Sequence, residues 1–283
     1  GGTTLAGGTL VAGGNTALGS GVLSVTGAST LQAGAPGVAL ANLVNLGAAL
    51  TVSGANDLTL AGNITGAGGL TKSGAGTLTL SGQNQYSGGT TLAGGTLIGD
   101  THSLTGAIGT ATGTSLVFNQ ATGDDGSFGG VISGGGSLTK NGGGTVTLTG
   151  ANTYTGGTTI NAGTLAGNAT SLQGNINIVD GSALIFNQTG ADGTYGGNTT
   201  GEYWQVWTPD GTRWLFGIDG YTENVVSMRT WDWTYHVERN YNPNYLTYNI
   251  NGWAYGGYAG RLNGQITRAW FLRRAYARTR DDL

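Results

Sequence analysis

The stretch Leu138 to Leu165, LTKNGGGTVTLTGANTYTGGTTINAGTL, constrains the chain most, because it is present twice. Laid over Leu70 to Leu97 at an offset of 68, it is identical at 18 of 28 positions. A shorter piece, GGTTLAGGTL, opens the chain at Gly1 and recurs unchanged at 88 to 97, an offset of 87. Self-similarity at fixed spacing is the signature of a repeat architecture, in which each unit buries its apolar face only against its neighbours.

Within the repeat, Thr77-Leu78-Thr79-Leu80 and Thr145-Val146-Thr147-Leu148 alternate polar and apolar residues, which is the pattern of a strand with one buried face. The flanking SGAG, NGGG, SGGT and TGGT clusters are turn material. Further pieces keep the same offset of 68. Gly62 to Gly66 corresponds to Gly130 to Gly134, and Leu116 to Gln120 to Leu184 to Gln188. The difference between the offsets 87 and 68 is 19, close to the length of one solenoid coil. Coils of roughly 19 to 23 residues make the repeat offset about three coils and the first 200 residues about nine, a rod of about 45 Å. The fold expected is an all-β parallel β-helix, with Leu, Val and Ile stacked inward and Thr, Ser and Asn outward.

Composition divides the chain near residue 200. Before it lie 49 of the 58 glycines, both lysines and six aspartates, but no Trp, Arg or Glu. After it come all seven Trp, all nine Arg and nine of the twelve Tyr. The formal charge changes from −4 to about +1. Such a shift marks a boundary between residues 1–200 and 201–283. With no cysteine, disulfide scaffolds and thiolate metal sites are excluded. No apolar run reaches the roughly 18 residues of a membrane-spanning helix. Because Gly1 falls inside a repeat, the chain is expected to be a fragment of a longer protein.

The run carried by Leu70, Thr71, Lys72, Gly74, Gly76, Thr77, Leu80, Gly82, Asn84, Tyr86, Gly88, Gly89 and Thr90, and again by Leu138 through Leu165, resembles the passenger-associated transport repeat of bacterial autotransporters, the type V secreted proteins. The resemblance implies a right-handed β-helix displayed at the cell surface or released outside a Gram-negative bacterium. It also implies an outer-membrane translocator barrel as partner, with the repeats assisting passage and folding.

Chemistry is sparse before residue 200. Lys72 and Lys140 hold equivalent repeat positions, and a repeated lysine is expected at the surface, aiding solubility or guarding strand edges. Asn84 and Asn152 are expected at turns, with Tyr86 and Tyr154 covering the next coil. Asp124 and Asp125, with the related Asp192, form either a calcium loop or a plain solvated turn. The tandem nonapeptide of calcium-binding β-helices is absent. His102 has no partner nearby in sequence for nucleophilic chemistry. A β-helix carbohydrate-active enzyme would need clustered carboxylates, and this part of the chain offers six scattered Asp and no Glu.

After residue 200, Glu202 to Phe216 reads as a hairpin around Thr208-Pro209-Asp210-Gly211, followed by alternation at Thr230 to Val237 and at Asn244 to Tyr248. Ile266 to Arg278 reads as a short basic helix. The run at 204 to 217 faintly resembles secreted β-proteins of the Rhs and insecticidal-toxin-complex type, without their diagnostic YD repeats. Three roles suit this aromatic-rich β or α+β module. It caps the open end of the solenoid, it binds a glycan or host protein through Trp204, Trp207, Trp214, Trp231, Trp233 and Tyr235, or it is hydrolytic through Glu202, Asp210, His236 and Glu238. The function expected from the sequence is that of a non-enzymatic passenger fragment, serving as stalk and translocation aid and suited to adhesion. No cofactor, metal or nucleic-acid partner is expected.

Overall fold

A computed structural model describes residues 1–187 throughout. Beyond them it describes only the backbone of strands Asn198–Thr200, Trp204–Trp207, Arg213–Phe216, Glu223–Trp231, Thr234–Asn240 and Gln265–Ile266. Among the described residues every regular element is a β-strand, and no helix is long and apolar enough to cross a membrane.

Residues 1–187 form a parallel β-solenoid of about nine coils with three faces. The first face stacks Thr3–Leu5, Leu23–Val25, Val44–Leu46, Ile64–Gly66 and Gln85–Tyr86. It is interrupted by a turn at 100–106 and resumes with Gly126–Phe128, Thr145–Leu148, Thr164–Gly167 and Ala183–Phe186. The turn is seated in the same stack, since Asn84 N donates to His102 O below it and a Cβ on Gly126 above it would overlap Thr101. The second face runs without a break from Gly8–Ala12 to Thr153–Tyr154, and the third runs from Val38–Leu40 to Ile176–Ile178.

The interior follows from the alternation. On the third face Leu58, Leu78, Leu97, Leu116, Leu138, Thr158 and Ile176 are successive register partners, all buried. On the second, Leu50, Leu70, Thr90, Ile108 and Ile132 form the same kind of column. Each strand contributes alternate side chains to a column whose members are about 4.8 Å apart, so one apolar core runs the length of the rod. The strands expected at Thr77–Leu80 and Thr145–Leu148 are present with those bounds.

The repeat offset spans more than the three coils expected from its length. From Leu70 the successive second-face partners are Thr90, Ile108 and Ile132, which completes three coils. The coils are unequal in length. Those from Thr90 to Ile108 and from Thr158 to Ile176 are short, whereas the one from Ile108 to Ile132 is long. Leu138 lies beyond Ile132, on the next strand and the third face. The repeat unit is therefore three coils plus one face. The copies of GGTTLAGGTL and its variant show the same advance. Thr3–Leu5 is on the first face, Thr90–Leu92 on the second and Thr158–Ile160 on the third. Subtracting 68 from 87 gave a sound coil length because both offsets contain the same extra face.

Candidate functional site

Lys72 and Lys140 are inside the rod, contrary to the surface placement expected from their repetition. Their exposures are 2% and 0%. Lys72 occupies the inward column between Val52 and Leu92, and Lys140 the column between Phe118 and Ile160. The strand alternation that buries Leu70 and Leu138 also buries the residues two positions on, so the lysine faces inward by register. Each ammonium turns to the nearest corner. Lys72 Nζ donates to Ser73 O (2.9 Å), Gly74 O (2.9 Å) and, one coil on, Gly94 O (3.1 Å). Lys140 Nζ donates to Asn141 O (2.9 Å), Gly142 O (2.8 Å) and Ala162 O (3.1 Å). Gly74 (φ 78°) and Gly142 (φ 74°) take the left-handed conformation that a glycine accepts without strain.

Three donors meet three acceptors, yet among the described residues no carboxylate lies within ion-pair distance of either lysine. Burial lowers the Lys72 pKa against the opposing charge of Asp57, and it pushes Lys140 down to about 8 against that of Asp125. The two aspartates are themselves equivalent repeat positions, each accepting a backbone N–H one coil on, Thr77 N (2.7 Å) and Thr145 N (2.6 Å).

Asn84 and Asn152 are buried brackets. Asn84 Oδ1 accepts from Ile64 N (2.8 Å) in the coil below, and Nδ2 donates to Ser103 O (2.7 Å) in the turn above. Asn152 makes the same pair with Ile132 N (2.8 Å) and Ser171 O (2.7 Å). Tyr86 and Tyr154 are fully buried beside them, their hydroxyls paired with the inward Thr90 (2.6 Å) and Thr158 (2.8 Å) Oγ1. Burial raises both tyrosine pKa values. The structural role expected for these four residues holds, with the rings packed in the core.

The turn above Asn84 gathers ligand-type groups that sequence distance had separated. Asp100, His102 and Asp124 offer ligand atoms within 4.8 Å of one another, and His102 Nδ1 lies 3.8 Å from Asp124 Oδ2. The signal was available in the spacing. His102 and Asp124 are one coil apart along the chain, and so stack at the same corner. The second copy of the turn supplies an internal control. Asp100 Oδ1 caps the turn by accepting from His102 N (2.9 Å) and Ser103 N (2.8 Å). Asn168 Oδ1 does the same for Thr170 N (3.0 Å) and Ser171 N (3.0 Å). The turn thus needs an Asx oxygen but neither the charge of Asp100 nor His102. Three partly exposed ligands fall short of the four-ligand closure of a structural zinc site. Asp125 points to Thr145 N, so the pair Asp124 and Asp125 does not converge on one point as a calcium loop would.

The aromatic set Trp204, Trp207, Trp214, Trp231, Trp233 and Tyr235, the carboxylates and histidine at Glu202, Asp210, His236 and Glu238, Asp192, the hairpin, the strand at Asn244 to Tyr248, the cap and the basic helix all lie outside the residues described with side chains.

Two stretches, residues 70–98 and 138–166, match the passenger-associated-transport-repeat family, at the same offset as the internal repeat. No curated protein and no solved structure matches the chain. The matched stretches hold both buried lysines, both Asn brackets and both buried tyrosines. Residues 70–98 and 138–166 are passenger-associated transport repeats, the repeats of autotransporter passengers, built into a parallel β-solenoid.

Proposed function

We propose that the chain is part of the rod of a surface-displayed or secreted autotransporter passenger, a non-enzymatic stalk whose repeats assist export and folding. The observation that carries this reading is how the repeats use their recurrent polar residues. Asn84 and Asn152, Tyr86 and Tyr154, and Lys72 and Lys140 all bond inward or coil to coil, as parts of construction. The partner implied is an outer-membrane barrel through which the chain passes. A host protein or glycan is the natural target at its exposed end, with adhesion as the task and the aromatics after residue 200 as the contact. The test is surface display of the parent protein with residues 70–98 and 138–166 exchanged for glycine- and serine-rich sequence of equal length. Loss of protease-accessible passenger at the cell surface is expected. Undiminished display contradicts the reading.

A second reading, glycan cleavage, has one observation in its favour, the approach of Asp100 and Asp124 within 4.8 Å. Glycosidases place two carboxyl groups about 5 to 9.5 Å apart across the scissile bond, and this pair falls just short of that range. Asp100 is already engaged as a turn cap, and the repeated turn has Asn168 in its place. An Asp124→Asn variant with unchanged activity on a polysaccharide panel removes this reading, whereas loss of a measured activity supports it.

A further inference from the structure

We infer that the solenoid opens first at the two coils that carry Lys72 and Lys140, which divide the rod into blocks that part from one another before the whole unfolds. In a solenoid each coil contacts only its neighbours, so stability is close to a sum of interface terms, and the stack parts where an interface is weakest. Most inward positions are Leu, Val or Ile, and opening an interface between them exposes apolar surface on both sides at about 25 cal/mol per Å². At Lys72 and Lys140 the balance differs. The ammonium is held among Val52 and Leu92, or Phe118 and Ile160, with backbone carbonyls as its bonding partners.

Of the three acceptors, two belong to the lysine's own corner and stay with it when the stack parts. The third, Gly94 O or Ala162 O, is the bond that crosses to the next coil. Beyond the backbone bonds that every interface of the stack makes, opening therefore breaks one side-chain hydrogen bond per lysine and returns a desolvated charge to water, which recovers a hydration energy that a leucine column lacks. Asp57 and Asp125, the acidic groups whose charges act on these amines, are engaged at Thr77 N and Thr145 N and do not close an ion pair. The planes are spaced by the repeat, so the rod carries them three coils and one face apart.

The chain contains only two lysines, so labelling its amines reads these planes directly. The full chain is treated with an amine-acylating reagent under native conditions, and modification at Lys72, Lys140 and the terminal amine of Gly1 is followed by mass spectrometry. Acylation of both lysines at least tenfold faster than global unfolding, with weaker denaturant dependence, is expected. Acylation at the rate and denaturant dependence of global unfolding overturns the inference. In parallel, Lys72→Met and Lys140→Met are compared with the parent by amide exchange in Leu70–Lys72, Thr90–Leu92, Ser137–Asn141 and Thr158–Ile160. Exchange slowed by tenfold or more is expected. Unchanged or faster exchange, or a variant that does not fold, overturns it.

Discussion

Leu138 pairs with Leu116 below it and Thr158 above it on the third face, whereas Leu70, its counterpart in the first repeat, pairs with Leu50 and Thr90 on the second. Equivalent residues of the two repeats are therefore not stacked on each other, and the repeat acts as a screw operation of three coils and one face. A partner reading the outer surface of the repeat would meet successive copies on different sides of the rod. The lysine, the Asn bracket and the tyrosine that the copies share all face inward, while the identities on the outer surface are threonines such as Thr71 and Thr139. This favours construction over the display of one flat binding face.

The Asn brackets should be the most expensive polar residues to remove. Asn152→Ala leaves the buried N–H of Ile132 and the C=O of Ser171 without their partner. A buried group left unpaired costs about 1 to 3 kcal/mol, so denaturant melts should show a loss in that range, and Asn84→Ala should match it. The outward Thr139→Ala should stay within about 0.5 kcal/mol of the parent.

Stability should rise with pH on the alkaline side and then fall. Burial holds Lys140 at about 8, below its ordinary 10.5, and lowers Lys72 as well. Between about 8 and 10.5 the unfolded chain binds more protons than the folded one, so stability grows as pH rises through that window. Tyr86 and Tyr154 act with the opposite sign. Their folded pKa values lie above the ordinary 10.0, so their contribution is lost as pH climbs past 10. Thermal midpoints are expected to peak near pH 9 to 10, and the rise above pH 8 should shrink in Lys140→Met.

Asp100 should be replaceable by Asn but not by Ala. Asn168 performs the same capping with an amide oxygen. Asp100→Asn should therefore be near neutral in a chemical melt, while Asp100→Ala should cost about 1 kcal/mol, as loss of an equivalent cap does at a helix start.

Gly156 should tolerate no side chain. A Cβ there would overlap the backbone of Gly136 in the coil below, and one on Gly88 would overlap Gly68 and Gly69. Because the obstacle is backbone, relief requires the coils to shift, and Gly156→Ala is expected to lower stability by about 1 to 3 kcal/mol in the same melts.

Much of the fold was legible because alternation and spacing are local properties. Thr77–Leu80 and Thr145–Leu148 declare themselves as strands, and the difference between two repeat offsets gives the coil length. Faces were not legible, since the repeat offset divides almost evenly into three longer coils as well as into three shorter coils plus a corner. Lys72 and Lys140 misled for a general reason. Charge argues for solvent, but in LTK the register that buries Leu70 also buries Lys72, and the corner carbonyls that accept the ammonium are invisible in a side-chain sequence. His102 looked isolated because its neighbour Asp124 is one coil away, a distance that becomes contact only once coils are counted.

The stacking of the second repeat one face on from the first is tested most directly by cross-linking Thr91→Cys with Gly109→Cys in this cysteine-free chain. These residues are register partners on the second face across a short coil, whereas three equal coils to a repeat would carry the partner of Thr91 several residues past Gly109. Neighbouring strands about 4.8 Å apart fall within the roughly 4.4 to 6.8 Å Cα separation that a disulfide spans. Rapid, near-complete oxidation of this pair, matching a control pair at Thr71→Cys and Thr91→Cys, is the expected result. Oxidation of the control alone would contradict the arrangement and return the repeats to a common face.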